Sequence, residues 1–242
     1  MDWISSRPIA HRGLHNGSSI PENSLKAFEA AIAKNYPIEL DIHPLADGEI
    51  AVFHDKSLKR MTGADGDISE QDSIGVKRFR LLATDQEIPL LDEAFQLVNG
   101  QVPILVELKN EGDVGQLEQN LLNKLSAYSG EYAVQSFNPF SMSWFKQNAP
   151  HIYRGQLSSD FKSEDLEWHT KFLLRNLLMN WASSPHFIAY DLRALPYPPV
   201  TLIRRFSGIP LVAWTIRNET EKAEASKYAD NVIFENLELD SH

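Results

Sequence analysis

The residues able to do chemistry in this sequence fall at the ends of short apolar runs. His11 and Arg12 follow Ile9-Ala10, Glu39 and Asp41 lie within Ile38–Ile42, His54 follows Ile50–Phe53, and Glu107 and Lys109 close Ile104–Leu108. Side chains two apart on a strand share a face, so Glu39 acts with Asp41 and Glu107 with Lys109. Carboxylates turned into an apolar interior are costly unless a cation neutralises them. Oxygen donors from Glu39, Asp41 and Glu107 suit a hard divalent ion, Mg2+ or Ca2+, better than a softer metal. Beside such a centre, imidazoles from His11 and His54 can take and give protons near neutral pH, while Arg12 and Lys109 can hold a phosphate. That combination describes phosphodiester cleavage.

Each element also has a plainer reading. His11-Arg12-Gly13 alone fits a surface ion pair equally well, Glu39 and Asp41 could line an exposed edge strand, and Glu107 and Lys109 could pair only with each other. The recurrence of such residues at successive strand ends favours the chemical reading. Trp214 ends the run Leu211–Thr215, where its ring can stack on a glycerol or head group or simply plug the interior. The remaining histidines, His15, His43, His151, His169, His186 and His242, read as loop or surface residues.

The elements that must position these groups alternate short apolar runs with helical periodicity, the pattern of repeated βα units. Strands are expected at 8–11, 38–42, 50–54, 104–108, 132–136, 152–156, 187–191, 211–215 and 232–234. The second and third are joined through Asp47-Gly48, a hairpin turn too short for a crossover helix, so one strand is an antiparallel extra. The other eight, each followed by a helix, give the fold class: α/β, a (β/α)8 TIM-type barrel with a small insertion after the second barrel strand. The whole chain, 1–242, is expected to be one domain with the insertion at about 55–100. Helices are expected at 24–35, 91–98, 114–125, 139–148, 165–181, 199–206 and 219–228. The apolar spacing of Phe172, Leu173, Leu177, Leu178 and Trp181 fits a helix packed on the barrel better than a lipid-facing patch.

Composition sets the remaining bounds. The chain has 242 residues, no Cys and a formal charge of −10. It therefore has no disulfide, thiolate metal site or cysteine nucleophile. The acidic surface argues against nucleic acid as a partner and requires local cations or a metal to hold an anionic substrate. No run approaches the ~18 consecutive apolar residues of a spanning helix. No export signal is evident at the start, so a cytoplasmic location without stable membrane insertion is expected.

As a set, these motifs resemble the glycerophosphodiester phosphodiesterase family. The likeness is carried by Ile9-Ala10-His11-Arg12-Gly13, Pro21-Glu22-Asn23-Ser24, Glu39-Leu40-Asp41, and Asp47-Gly48 leading to Val52-Phe53-His54-Asp55, then Leu58, Arg60, Thr62 and Gly63. It continues through Ile88 to Glu93, Val106 to Lys109, Gln135-Ser136-Phe137 and Val212 to Thr215. Ser24 replaces the family's threonine but keeps the hydroxyl. The run Asn231 to Asn236 departs from the usual closing strand.

The resemblance implies metal-dependent hydrolysis of a small-molecule glycerophosphodiester to glycerol 3-phosphate and an alcohol. It implies His11 and His54 as general acid and base, Glu39, Asp41 and Glu107 as metal ligands, and Arg12 and Lys109 as phosphate contacts. The alternatives are a lysophospholipase D using the same site on a lipid, and a catalytically idle barrel serving as a binding protein.

Overall fold

The computed structural model describes residues 1–110, 112–162, 164–237 and 239. Helix α1 (Trp3–Ser6) leads into strand β1 (Ile9–Ala10). Residues Ile9–Tyr132 then form one compact unit, and Met1–Pro8 with Ala133–Asp240 another.

In the first unit, helix α2 (Leu25–Ala33) starts where the Ser24 hydroxyl accepts from the Ala27 N–H at 3.1 Å, which satisfies one of the donors a helix start leaves free. It buries Ala27, Phe28 and Ala31 on one face. Strand β2 (Ile38–Pro44) is the organising strand of this unit. It pairs antiparallel with β3 (Ile50–Val52), Ile42 opposite Val52, across a turn in which Gly48 takes a φ of 86°. The expected hairpin is present. Beyond it lie helix α3 (Lys59–Thr62) and three short 3-10 turns, which bury Leu58, Met61, Ile68, Val76 and Leu81 against Ala51 and Phe53. Helix α4 (Leu91–Val98) precedes β4 (Ile104–Leu108), and α5 (Gln116–Ala127) comes after it. Strand β2 is parallel to β1, Ala10 opposite Ile38, and to β4, Asp41 opposite Glu107.

The second unit alternates strand and helix: β5 (Tyr132–Ser136), α6 (Pro139–Asn148), β6 (Arg154–Ser158), α7 (Trp168–Arg175), α8 (Asn180–Ser183), β7 (Phe187–Asp191), α9 (Pro198–Ser207), β8 (Leu211–Ile216), α10 (Glu219–Ala225) and β9 (Asn231–Phe234). Neighbours from β5 to β9 are parallel. The strand order of the sheet is β1-β9-β8-β7-β6-β5-β4-β2-β3, with β1 also bonded to β2. This is a closed barrel of eight parallel strands with β3 as the antiparallel extra, as expected.

Several elements shift by one to three residues at their ends, α5 starting at Gln116 instead of 114 and α10 ending at Ala225 instead of 228, and two differences have an identifiable cause. β6 begins two residues later than expected because buried Arg154 anchors it there, donating to the carbonyls of Ser183 and Ser184 at 2.9 Å each. The helix expected over 165–181 is broken into α7 and α8 by Leu177, which sits in the left-handed region at φ 57°. Only Leu177 of its apolar residues is deeply buried, whereas Trp168, Phe172 and Trp181 face solvent. Helical periodicity reports that apolar residues share a face, not that a partner covers it. No helix among the described residues is long and apolar enough to cross a membrane.

Candidate active site

Strand alternation and register assemble the acidic cluster. Glu39 and Asp41 project from the same side of β2, and Glu107 lies directly beside Asp41 on β4. One carboxylate oxygen from each of the three lies within 4.8 Å of the other two, and all three residues are buried. Burial, together with Asp41 and Glu107, pushes Glu39 well above the ordinary carboxylate range. Burial also raises Glu107, with Asp41 adding to the effect and Lys109 opposing it. For Asp41 burial acts upward too, but Lys109, His54, Arg12 and His11 outweigh it and hold this carboxyl well below its usual value.

Glu39 is held at one oxygen only. The Arg12 N–H donates to Glu39 Oε2 at 2.9 Å, while Glu39 Oε1 is buried with no hydrogen-bond partner among the described residues. An unsatisfied buried acceptor costs about 1–3 kcal/mol, more when charged. A hard divalent cation is the ligand such an all-carboxylate donor set fits.

The cations sit inside this cluster. Lys109 Nζ contacts Glu107 Oε1 and lies 3.0 Å from Asp41 Oδ1. Arg12 Nη1 donates to Glu22 at 2.7 Å, and Arg12 Nε lies 3.3 Å from Asp41 Oδ2. Arg12 takes φ 55° and Gly13 φ 77°. A Cβ at Gly13 would stand 2.9 Å from the Ala27 backbone and the Phe28 ring, so the turn that aims the Arg12 N–H at Glu39 requires glycine. His54 and His11 are both among the charges that lower Asp41.

A model of the glycerophosphoryl diester phosphodiesterase family matches residues 11–238. The chain belongs to this family. Its enzyme class is therefore glycerophosphodiester phosphodiesterase, a phosphoric diester hydrolase. A glycerophosphodiester phosphodiesterase of Caldanaerobacter subterraneus subsp. tengcongensis is 27% identical over 243 residues, covering 95% of this chain and 94% of its own. A lysophospholipase D of Rattus norvegicus is 30% identical over 140 residues, 52% of this chain and 42% of its own length. In structure the chain resembles a phosphodiesterase of Oleispira antarctica solved with its product sn-glycerol-3-phosphate, with a TM-score of 0.80 at 24% identity, covering 94% of this chain and 92% of that one.

Within this phosphodiesterase fold, further residues of the motifs acquire roles that their spacing did not indicate. Asn23 is buried and donates to Asp41 Oδ2 at 2.8 Å, from a left-handed φ of 54°. Asp55 and His54 Nδ1 are 2.7 Å apart, and Arg60 binds Asp55 and Glu22 together. His43 is buried on β2 rather than exposed, with Nε2 3.0 Å from the His54 carbonyl. A carbonyl only accepts, so that nitrogen carries the proton. One signal was available: His43 has the same strand parity as Glu39 and Asp41. Trp214 belongs to the other unit, half-buried within β8, with two strand residues after it, its ring edge-on to Phe137 at 5.7 Å. His242 lies outside the described residues.

Proposed function

We propose that this chain hydrolyses glycerophosphodiesters to glycerol 3-phosphate and an alcohol, with a divalent cation, Mg2+ or Ca2+, held by Glu39, Asp41 and Glu107. The observation that carries the reading is the buried Glu39 oxygen without a hydrogen-bond partner among the described residues, within a cluster of three buried carboxylates that Arg12 and Lys109 adjoin. When bound, the cation supplies Lewis-acid polarisation of a phosphoryl oxygen.

The chain's own residues supply the proton transfers and the binding of charge. Asp55 is held below its usual range: burial acts upward, but hydrogen bonds from His54 and Arg60 outweigh it. It is thus an acceptor, so His54 Nδ1 carries a proton and Nε2 is left to face the substrate as base, or as acid once protonated. His11 takes the complementary role on the other oxygen of the diester. Arg12 and Lys109, drawn in by Asp41, place positive charge where phosphoryl charge accumulates. Trp214 is proposed to stack against the glycerol or head group.

The test is release of glycerol 3-phosphate from glycerophosphocholine, glycerophosphoethanolamine and a lysophospholipid, each with Mg2+ and with Ca2+. Turnover of the soluble diesters supports the proposal. Turnover of the lysophospholipid alone moves the assignment to a lysophospholipase D, and no turnover of any leaves a binding protein.

A further inference from the structure

Helices α7 and α8 present a dense set of uncovered apolar side chains. Trp168 is 77% exposed and Trp181 76%, with Phe172, Leu173 and Leu178 also outside. On α7, Trp168 and Phe172 are one helical turn apart and share a face. Lys171 and Arg175 repeat at the same interval, immediately beside that row. Helix α9 repeats the arrangement, with Leu202 and Phe206 exposed and Arg205 adjacent. The two helices adjoin: the Arg175 guanidinium lies 4.5 Å over the Tyr197 ring, Tyr197 Oη donates to Asn176 at 2.9 Å, and Leu177 shares a buried cluster with Val200.

The charge of this stretch is opposite to that of the chain. Between Trp168 and Ser207 there are five Lys and Arg residues against Asp191 alone, in a protein of net charge −10. Arg193 is paired with Asp191 and Arg204 with Asp230, while Lys171 and Arg205 enter no ion pair among the described residues. Of the nearby acids, Glu164 and Asp165 lie ahead of α7, while Glu167 caps its start, one residue before Trp168, its carbonyl accepting from the Lys171 N–H at 3.0 Å.

We infer that the exposed face of α7 and α8, continued by α9, is a docking surface for an anionic phospholipid bilayer. Tryptophan rings are suited to the headgroup level of a bilayer because an apolar body there meets a polar N–H. An apolar row edged by Lys and Arg is the pattern of a helix that lies in the interface plane. Charge complementarity selects this occupant over a second copy. A two-fold contact through the same face would bring two patches of the same sign together, each carrying Lys171 and Arg205 with no ion-pair partner among the described residues. The bilayer attracts those cations, each worth about a fivefold change in binding near an anionic surface.

The experiment is co-sedimentation of the full chain with vesicles of phosphatidylcholine alone and of an equimolar mixture with phosphatidylglycerol, at low and high salt. The wild type is expected to sediment with the mixed vesicles, less with the neutral ones, and less again at high salt. Trp168→Ser combined with Trp181→Ser should lower vesicle binding by roughly tenfold or more, and Lys171→Glu with Arg205→Glu should abolish the preference for phosphatidylglycerol. All four positions lie outside the hydrolytic site, so cleavage of a soluble diester should be unchanged; a circular dichroism spectrum checks folding without relying on activity. Wild-type protein that stays in the supernatant, or a double Trp variant that sediments as well as wild type, overturns the inference. So does a wild-type dimer in sedimentation velocity that becomes monomeric in the Trp variant, which would give the face to a second copy.

Discussion

Asp55 Oδ1 accepts from His54 Nδ1 at 2.7 Å while Arg60 donates to both oxygens of the same carboxylate, at 2.5 and 2.9 Å. The imidazole is thereby fixed in orientation and tautomer from behind. His54→Ala and His11→Ala should each lower kcat by roughly 10²–10⁴ with the fold retained. Asp55→Asn, which keeps the shape but can present a donor to Nδ1, should lower kcat by roughly 10–10² and leave KM nearly unchanged. Steady-state kinetics with a soluble diester checks this; near-native kcat in Asp55→Asn removes the orienting role.

The carboxylates of the cluster should respond in opposite directions when neutralised. Glu39 is a buried acid raised above its ordinary 4.5, with one oxygen unsatisfied, so Glu39→Gln should leave the metal-free protein equally or more stable. Asp41 balances Lys109 and Arg12, so Asp41→Asn leaves Lys109 to Glu107 and Arg12 to Glu22 and should destabilise by about 1–3 kcal/mol. Urea unfolding in chelator measures both. Equal losses in the two variants contradict the assignment of charges.

The same shifts set the pH dependence. Glu39 and Glu107 titrate higher folded than unfolded, so the unfolded chain releases those protons first. Their contribution makes the metal-free protein lose stability as pH rises from 4.5 through the raised folded values. Asp41 has the opposite sign, contributing stability above its ordinary 3.8 that is lost as pH falls below it. A cation must displace the Glu39 and Glu107 protons, so metal affinity should rise with pH and binding should release protons. Calorimetry in buffers of different ionisation enthalpy reads the released protons; none released at mildly acidic pH counts against the cluster as the metal site.

Chelation should silence turnover, and Mg2+ or Ca2+ should restore it. Glu39→Gln or Glu107→Gln should weaken metal binding by roughly 10²-fold or more, since even residues behind a ligand are worth 10–100-fold. Full activity in excess chelator ends the metal proposal.

Gly13→Ala places a Cβ against Ala27 and Phe28 at a backbone φ of 77°. Expected is a loss of about 1–3 kcal/mol in urea unfolding, together with weaker metal binding as the Arg12 N–H moves off Glu39. Unaltered stability would mean the turn has slack that the contacts do not show.

Much of the site was legible because strand geometry is local. A repeat of two places Glu39 with Asp41, and short apolar runs ending in His11, His54 and Glu107 mark strand ends. The hairpin through Asp47-Gly48 and the count of eight parallel strands rest on the same short-range rules. Tertiary structure alone decided the partners. Asn23 meets Asp41 across 18 residues, and Arg60 meets Glu22 across 38. Which cation sits between which carboxylates depends on the register of β2 against β4. It also decided that α7 and α8 leave their tryptophans in solvent, because whether an apolar face is covered depends on what packs beside it, and no periodicity within the helix records that.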